Sequence, residues 1–350
     1  MRHERASFTI VVALAAFLSG CQGTERPLAP SLDGTQLSSS ASDGLNGKIV
    51  FHSGRAGNVH IFAMNADGTE QTQLTRTPTY DFEPVWSPNG RKIAYMRFPE
   101  TCCGNSVIVV MKADGTGITQ LTDGSTPDWF PIWSPNGKQI AFRSDRDGGV
   151  DDIFVMNADG SNVRRLTTNA YVQNVAAWSP NGKQIAFVSY RDYVANPDAG
   201  DTDLFVVNAD GTGITPLTDN NVDDFGDHAG WSPDGKLFVF SRSAPGTNSQ
   251  TTSEIFVMNA NGTNARQLTG LAGNVGYNNN PTWSPNGKRI AFNSTRDGMT
   301  NEEVYTMKLD GSDLKRLTNS PSNDAVPSWT NGRVRPGEDE KDNDDRDGRH

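Results

Sequence analysis

The amino-acid sequence predicts an all-β protein made of six similar units, and three observations support this fold class. A tryptophan recurs about every fifty residues, a short strand of nearly constant sequence follows it, and two glycine-containing turns repeat at fixed offsets. The 350-residue chain has 35% hydrophobic residues, 35 Gly and 19 Pro, which suits a loop-rich β protein better than a helical bundle. The repeated tryptophans are Trp86, Trp133, Trp178, Trp231, Trp283 and Trp329.

Four short strands can be assigned to each unit. Strand A ends at the tryptophan, strand B is the run Ile-Ala-Phe or a variant, strand C precedes Asn-Ala-Asp-Gly or a variant, and strand D ends in Leu-Thr. Asn-Gly and Asp-Gly pairs between β-forming residues are typical of tight hairpins, because Gly and Asn accept the positive φ that such turns need. The A–B and C–D hairpins therefore lie within a unit, and in an antiparallel meander both turns lie at the same edge.

Segment lengths differ between the two edges of the predicted sheets. The tryptophan and the first apolar residue of strand B are seven residues apart in the five complete copies, and ten residues separate the start of the C–D turn from the Thr of Leu-Thr in all six. From the last aromatic residue of strand B to the C–D turn, the spacing varies from 14 to 21 residues. Length variation therefore falls on the edge with the B–C and D–A connections, where repeat proteins usually place binding loops.

The two ends of the repeat region complement one another. Residues 46–51 begin within the turn pattern and form a strand B, whereas Trp329 ends a strand A with nothing strand-like after it. Pairing these segments would complete one blade from both ends and remove the free edge of an open array. We therefore predict a closed, six-bladed β-propeller of four-stranded antiparallel blades over residues 46–332. An open solenoid is the alternative.

The N-terminal residues predict export and a lipid anchor. Arg2 and Arg5 precede an apolar run at residues 8–18, which is too short to span a bilayer but suits a secretory signal. The following Leu-Ser-Gly-Cys resembles the bacterial lipobox, so residues 1–20 are predicted to be a lipoprotein signal peptide and Cys21 the lipidated residue. An ordinary signal peptide with a chance cysteine is the alternative. Because Gln22 rather than Asp follows, the resemblance to lipoproteins implies a location at the outer membrane, facing the periplasm or the cell surface.

Two further segments have little to bury. Residues 21–45 are rich in Ser, Thr, Gly and Pro and are predicted to be a flexible tether, and residues 333–350 are predicted to be a disordered acidic tail.

The net charge of the chain is −10, from 31 Lys and Arg against 41 Asp and Glu. No run of basic residues suited to phosphate neutralisation is found, which argues against nucleic acid as a partner. Basic partners or cations fit this charge better, and no cofactor is predicted.

The repeated motifs resemble the WD40-like repeats of the TolB propeller family. The resemblance rests on Trp-Ser-Pro-Asn-Gly, Ile-Ala-Phe, Val-Met-Asn-Ala-Asp-Gly, Arg-Leu-Thr and the Ser-x-Arg-Asp-Gly loops at residues 144–148 and 294–298, and it covers residues 47–332. It implies a six-bladed propeller whose funnel, in TolB, binds a peptidoglycan-associated lipoprotein. Related propellers also form the front domain of prolyl peptidases and the scaffold of some pectate-degrading lyases.

One candidate binding site lies five residues before each tryptophan. Such a ring, at the channel mouth on the loop edge, could hold a weakly bound cation or ordered waters, or accept hydrogen bonds from an inserted peptide. In the alternative interpretation each carboxylate only caps its own loop by bonding nearby amides. The six positions are Asp81, Asp128, Gln173, Gly226, Asn278 and Asp324, and all except Gly226 offer a side-chain oxygen.

A second candidate is the densest polar cluster on the predicted loops. One histidine among acids gives weak support for a metal site, and solvated loop residues are the alternative. The cluster consists of Asp223, Asp224, Asp227 and His228.

Two features outside the repeat pattern also stand out. Trp129 is the one tryptophan outside the repeat register, and it could anchor a peptide or a sugar ring or simply pack on its blade. The adjacent Cys102 and Cys103 could form a strained disulfide or stay reduced.

The motifs favour binding over catalysis. The sequence has no Gly-x-Ser-x-Gly elbow, and His52, His60 and His228 are the only histidines in the propeller. We therefore expect a membrane-anchored, non-catalytic binding or scaffold protein that docks an envelope protein or a cell-wall glycan on the variable loops. The alternative is a propeller-type carbohydrate lyase or hydrolase acting on extracellular polysaccharide.

Overall fold

In a computed structural model of the chain, the residues that the structure describes contain twenty-four strands, which form six four-stranded antiparallel sheets, as predicted. The structure describes residues 47–100, 104–148, 150–168, 172–189, 202–220, 222–244, 252–270, 276–297 and 301–330. The predicted six-bladed β-propeller is confirmed. No helix within these ranges has the length and apolar character needed to cross a membrane.

The first three blades have these strand bounds. Blade 1 contains β1 (Lys48–Ala56), β2 (Asn58–Asn65) and β3 (Thr72–Gln73), joined by β24 (Asp324–Thr330). Blade 2 contains β4 (Tyr80–Trp86), β5 (Lys92–Phe98), β6 (Val107–Lys112) and β7 (Thr119–Gln120). Blade 3 contains β8 (Asp128–Trp133), β9 (Gln139–Ser144), β10 (Asp152–Asn157) and β11 (Arg164–Arg165).

The other three blades follow the same order. Blade 4 contains β12 (Val172–Trp178), β13 (Gln184–Ser189), β14 (Asp203–Asn208) and β15 (Thr215–Pro216). Blade 5 contains β16 (Asp224–Trp231), β17 (Leu237–Ser243), β18 (Ser253–Asn259) and β19 (Arg266–Gln267). Blade 6 contains β20 (Asn278–Trp283), β21 (Arg289–Ser294), β22 (Glu303–Lys308) and β23 (Lys315–Arg316).

Blade 1 closes the ring from both ends of the repeat region. Strand β24 pairs antiparallel with β1, so that Ile49 lies opposite Trp329 and Ser53 opposite Asp324. The sheet order is β24-β1-β2-β3, which is the predicted mixed blade. Closure leaves only the two-residue strand D of each blade as an outer edge, and such short edges offer little template for pairing with another chain.

The hydrophobic core lies between the blades. Six clusters of buried side chains are found, one at each interface between neighbouring blades. Between blades 1 and 2, for example, Val50 and Ile61 pack against Trp86, Ile93 and Val109. Each strand buries alternate side chains against opposite neighbours, so every blade depends on the two beside it.

Strand A of each blade is the innermost, and a bulge distorts it. Glu83, Phe130, Asn280 and Val326 each lie three residues before the blade tryptophan and have φ of 52–53°. The pairing register with strand B shifts at the same place, between Phe82 and Val85 in blade 2. A bulge increases the local twist and re-aims the side chains that follow it. Here the bulge changes the direction of the innermost strand, strand A, beside the channel.

The C–D turns hold neighbouring blades at a fixed distance. The turn glycine of each blade has positive φ and lies against the backbone of the Leu that directly follows strand D of the preceding blade. A Cβ at Gly115 would lie 2.7 Å from the carbonyl oxygen of Leu74, and one at Gly68 would lie 2.7 Å from that of Leu317 across the closing interface. Glycine is therefore required here both for the turn and for the approach of the next blade.

Substitution of the turn glycine should report on this contact between blades. We expect Gly115→Ala to lower the free energy of unfolding by about 2–4 kcal/mol, since it adds a steric clash with Leu74 to the strain of positive φ. Gly57 is the matched control, because its φ is +104° but no atom lies within 4 Å of a Cβ there. Urea denaturation should show a loss of only about 1 kcal/mol for Gly57→Ala. Equal losses in the two variants would contradict the proposed packing.

Candidate binding face

The two edges of the blades form two faces of the ring that differ in charge. We call the edge with the B–C and D–A connections the loop face, and the edge with the A–B and C–D hairpins the turn face. In sequence, the loop-face segments carry eight Arg and eighteen Asp or Glu, a net charge of −10. These segments are residues 54–58, 75–80, 97–107, 122–128, 143–152, 166–172, 189–203, 218–224, 242–253, 269–278, 294–303 and 318–324.

The residues five before the tryptophan are enclosed in their blades. Asp81, Asp128 and Asp324 have side chains that are 0–1% exposed, and each carboxylate forms an ion pair with an arginine at the end of strand B. Arg97 Nε donates to Asp81 Oδ1 at 2.7 Å, and Arg146 Nη2 donates to Asp128 Oδ1 at 2.7 Å. The paired arginines are 16–23% exposed. What these positions present to solvent is therefore mostly arginine.

Blades 5 and 6 use variants of the same pair. In blade 6 an amide replaces the acid, and Arg296 Nη2 donates to Asn278 Oδ1 at 2.5 Å. In blade 5 the residue five before the tryptophan is Gly226, and the buried acid is Asp224, which accepts from Arg242 Nε at 2.5 Å and from Nη2 at 2.8 Å. Strand β16 is longer because its bulge is wider. Counting back from the tryptophan therefore misses Asp224 as the equivalent residue.

Each arginine also stacks on aromatic rings. The guanidinium carbons of Arg146, Arg242 and Arg296 each lie 5.0–5.3 Å from the centroids of two rings, one in strand B and one in strand C. The preceding serine assists, as where Arg55 Nε donates to Ser53 Oγ at 3.0 Å. We call the acid or amide, the arginine and the rings the arginine clamp. Sequence reasoning missed the arginine, although Ser-x-Arg after strand B was the available signal in blades 1, 3 and 6. Arg97 and Arg242 do not have this spacing.

The clamp at the closing blade has a distinct electrostatic environment. Arg55 of β1 donates to Asp324 of β24, so this ion pair joins the first and last strands of the propeller. Burial raises the pKa of Asp324 from 3.8 to about 6, against the lowering effect of Ser53 and Arg55. A binding role for the clamp residues stays a prediction, because the geometry shows only that they hold strand A to strand B.

The polar cluster at 223–228 is divided among different contacts. Asp223 Oδ1 accepts from the backbone N–H of Thr202 at 2.9 Å and so caps a loop, while Asp224 belongs to the clamp. His228 Nδ1 lies 2.9 Å from the carbonyl oxygen of Pro327. The side chain of Asp227 is outside the described part of the structure.

The contact of His228 crosses the channel, since blades 5 and 1 are separated by blade 6. Burial lowers the pKa of His228 from 6.5 to about 4, and burial together with the charge of His228 lowers that of His52 to about 3. Both imidazoles are therefore neutral at neutral pH, and Nδ1 of His228 carries the proton that it donates to Pro327. Among the residues with assigned positions, no group of three or more His, Cys, Asp or Glu could hold a metal ion.

Trp129 lies in β8 and is half-buried. The guanidinium carbon of Arg143 is 4.6 Å from the centroid of its ring, and Arg143 Nη2 donates to Asp151 Oδ2 at 2.5 Å. Trp129 also packs against the cluster between blades 2 and 3. Trp129 is thus packed on its blade while part of its side chain remains exposed, as contact with a peptide or sugar ring would require. The predicted sites at Cys21, Cys102, Cys103 and the side chain of Gln173 lie outside the described residues.

Comparisons with known proteins agree with this architecture. Residues 98–198 match the family model of the TolB β-propeller domain. An uncharacterised protein of Agrobacterium fabrum is 35% identical over 98 residues, which span 28% of this chain and 30% of that protein.

Two solved structures share the fold at low identity. TolB from Acinetobacter baumannii has a TM-score of 0.66 and 21% identity, over 82% of this chain and 67% of that one. A putative TolB from Agrobacterium tumefaciens has a TM-score of 0.57 and 20% identity, over 78% and 88%. The chain thus contains a TolB-like six-bladed β-propeller.

The arginine clamp should contribute to stability. We expect Asp128→Ala to lower the free energy of unfolding by about 3 kcal/mol, because it leaves Arg146 partly buried without its carboxylate. Asp128→Asn imitates the amide of blade 6 and should lose less than about 1.5 kcal/mol. Thermal and urea unfolding of both variants would test this. If Asp128→Ala were as stable as the parent, the clamp would not be a stabilising element.

The lowered pKa of His228 predicts a loss of stability in mild acid. Between pH 6.5 and 4 the unfolded chain binds a proton on His228 that the folded protein does not, so the free energy of unfolding falls as pH decreases. His228→Asn keeps a donor for Pro327 but does not titrate. From pH 7.5 to 5, the parent should lose at most about 2 kcal/mol more than this variant in urea titrations. If the free energies of unfolding of the parent and of His228→Asn changed equally with pH, His228 would not be held neutral in the folded protein.

Proposed function

We propose that this TolB-like propeller is a lipid-anchored, non-catalytic binding protein of the bacterial cell envelope that docks a partner with a basic surface on its loop face. The observation that carries the proposal is the loop face itself, which combines a net charge of −10 with all of the length variation between repeats. Complementary charge steers a partner and fixes its orientation, while loops of different length give each blade its own contact surface. An envelope protein fits this chemistry better than a cell-wall glycan.

The acids available to a partner are those outside the clamps. Asp219 is exposed, and the side chain of Asp147 is 49% exposed. By contrast, Asp128 and Asp224 are buried and paired, so they would influence a partner only through the shape of the loop face. The proposal therefore assigns direct contacts to exposed loop carboxylates and to the half-buried Trp129, and a supporting role to the clamps.

A non-catalytic role is supported by how the histidines are used. His228 donates across the channel to Pro327, and burial lowers the pKa of both His228 and His52. A general base is most effective with a pKa near the operating pH, and a serine nucleophile needs such a base within hydrogen-bond distance. Imidazoles with pKa values of about 3 and 4 are poor bases at neutral pH.

The anchor is proposed from the sequence. A signal peptide at residues 1–20, a lipidated Cys21 and a tether at 21–45 would hold the propeller at the outer membrane, facing the periplasm or the cell surface. Metabolic labelling with a fatty acid, followed by gel mobility of the parent and Cys21→Ser, measures this part alone. Label on the parent and none on Cys21→Ser supports the anchor.

The docking proposal can be tested by site-specific photocrosslinking in intact cells. A photoreactive residue at Thr77 on the loop face should capture a defined envelope protein, whereas the same residue at Thr119 on the turn face should not. Asp147→Asn combined with Asp219→Asn should weaken the affinity of the purified partner roughly tenfold, with most of the effect lost at high salt.

The matched control changes the same amount of charge on the other face. Asp114→Asn combined with Asp159→Asn should leave the affinity for the partner within about twofold, because both residues lie on the turn face. The fold should tolerate this change, since blade 5 has Asn261 at the same turn position. Equal weakening by both pairs would show a response to net charge alone. Capture of the same partner from both faces would show that the loop face is not the docking surface.

A further inference from the structure

The turn face carries the opposite charge to the loop face. Its A–B turns, which lie nearest the channel, hold eight Lys or Arg and a single acid, Asp234, a net charge of +7 in sequence. One of these cations, Arg289, is buried and paired with Asp313, and the others lie at the turns. Its C–D turns, which lie farther out, hold five Lys or Arg and seven Asp or Glu. The A–B turns are residues 47–48, 87–92, 134–139, 179–184, 232–237 and 284–289, and the C–D turns are residues 65–72, 112–119, 157–164, 208–215, 259–266 and 308–315.

The basic ring follows from the repeat. In all six blades the residue after the A–B turn glycine is Lys or Arg, and five of the six are exposed. Lys48 and Lys236 contact Glu70 and Asp234 at 3.4 and 3.6 Å. The other four have no ion pair within the described ranges. The ring consists of Lys48, Arg91, Lys138, Lys183, Lys236 and Lys288.

Large apolar side chains are also exposed on the turn face. Ile118, Val163 and Leu314 are 39–42% exposed, the highest values among large hydrophobic residues at the positions described. All three occupy the same place at the end of a C–D turn, in blades 2, 3 and 6. The turn face therefore combines a central ring of cations with apolar contacts farther out.

Gly47, which follows the segment proposed as a tether, lies at this same face. Gly47 is the first described residue, and its carbonyl oxygen accepts from the backbone N–H of Ala66 in the C–D turn of blade 1. Lys48 of the ring follows directly. Residues 21–45 would thus join the lipidated Cys21 to the turn face and hold this face toward the surface that the acyl chains enter.

We propose that the turn face docks on an anionic phospholipid surface. The inference rests on the proposed lipid anchor, but adds an orientation and a lipid chemistry to it. A lysine near an anionic bilayer attracts it over roughly one Debye length, about 8 Å at physiological ionic strength, and the acyl anchor keeps the ring within reach. Docking in this orientation turns the acidic loop face away from the membrane, where a basic partner has free access.

The orientation can be measured on the full lipidated protein bound to vesicles. A fluorophore is attached to a cysteine introduced at Thr119 on the turn face or at Thr77 on the loop face, in a background with Cys102→Ser and Cys103→Ser. The vesicles contain headgroup nitroxide quenchers in phosphatidylcholine, with or without phosphatidylglycerol. Quenching should be strong only at Thr119 and only with phosphatidylglycerol, and should decrease as salt is raised.

Charge-reversal variants distinguish an effect of the basic ring from an effect of the protein's net charge. Lys183→Glu should reduce the docking equilibrium at least tenfold, because it exchanges an attraction for a repulsion. Arg76→Glu is the matched control, since Arg76 is an exposed cation on the loop face and changes the net charge equally. It should alter docking less than twofold. Equal effects of the two variants, or equal quenching of both labels, would overturn the proposal.

Two other outcomes are equally informative. Quenching at Thr119 that does not depend on phosphatidylglycerol would show that the tether alone sets the orientation, and it would overturn the role of the basic ring. A chain that carries no acyl group and remains in solution would instead contradict the proposed anchor. The orientation is then tested by adding the chain to phosphatidylglycerol vesicles, where turn-face docking predicts salt-sensitive binding that Lys183→Glu weakens and Arg76→Glu does not.

Discussion

The structure depends on the fact that a four-stranded blade cannot bury its own two faces. Each strand presents apolar side chains to both sides, so the core exists only at the interfaces between blades, as where Val50 of blade 1 meets Trp86 of blade 2. An open row of six blades would leave two apolar faces in water. Pairing of β24 with β1 completes blade 1, which then packs against blade 6 and buries both of these faces. In the same interface between blades 6 and 1, Gly68 lies against Leu317 at the turn face. Closure is thus a condition for the core.

The arginine clamps show how the same ring supports variable loops. Burying a carboxylate is favourable only when charge and hydrogen-bond partners compensate for lost hydration, and the arginine of each clamp supplies both. The arginine also stacks on two rings in blades 1, 3, 5 and 6 and on one ring, that of Tyr95, in blade 2. Because the clamp lies where strand B leaves the sheet, it holds the base of every B–C connection whose partner residues are described. The loops can then differ in length without changing the blade. Blade 6 keeps the same hydrogen bond with an amide, Asn278, in place of the carboxylate, while the carboxylate of Glu254 accepts from Asn278 Nδ2.

The sequence was sufficient to predict the blades, the hairpins and the closing strand, because these follow from local turn chemistry and from spacing along the chain. It predicted five of the six positions five before tryptophan as polar, but not that Asp81 or Asp128 would be buried against an arginine. Such pairs join residues 16–18 positions apart across a sheet, and only the pairing register brings them together. Blade 5 shows the limit most clearly. The wider bulge of β16 moves the clamp acid to Asp224, and no count from Trp231 could reveal that shift.

The division of charge between the two faces is also a product of the fold. Along the sequence, acids and bases are interspersed, and no cluster of basic residues stands out. The meander sorts them, since both hairpin turns of every blade go to one face and both connections go to the other. The lysine or arginine that follows the A–B turn glycine in all six repeats becomes part of a ring only when six blades close. The same constraint that creates the core therefore creates two surfaces of opposite character, one constant in length and basic near the channel, the other variable and acidic. In the proposed anchored orientation, the basic surface faces the membrane and the acidic surface faces a partner.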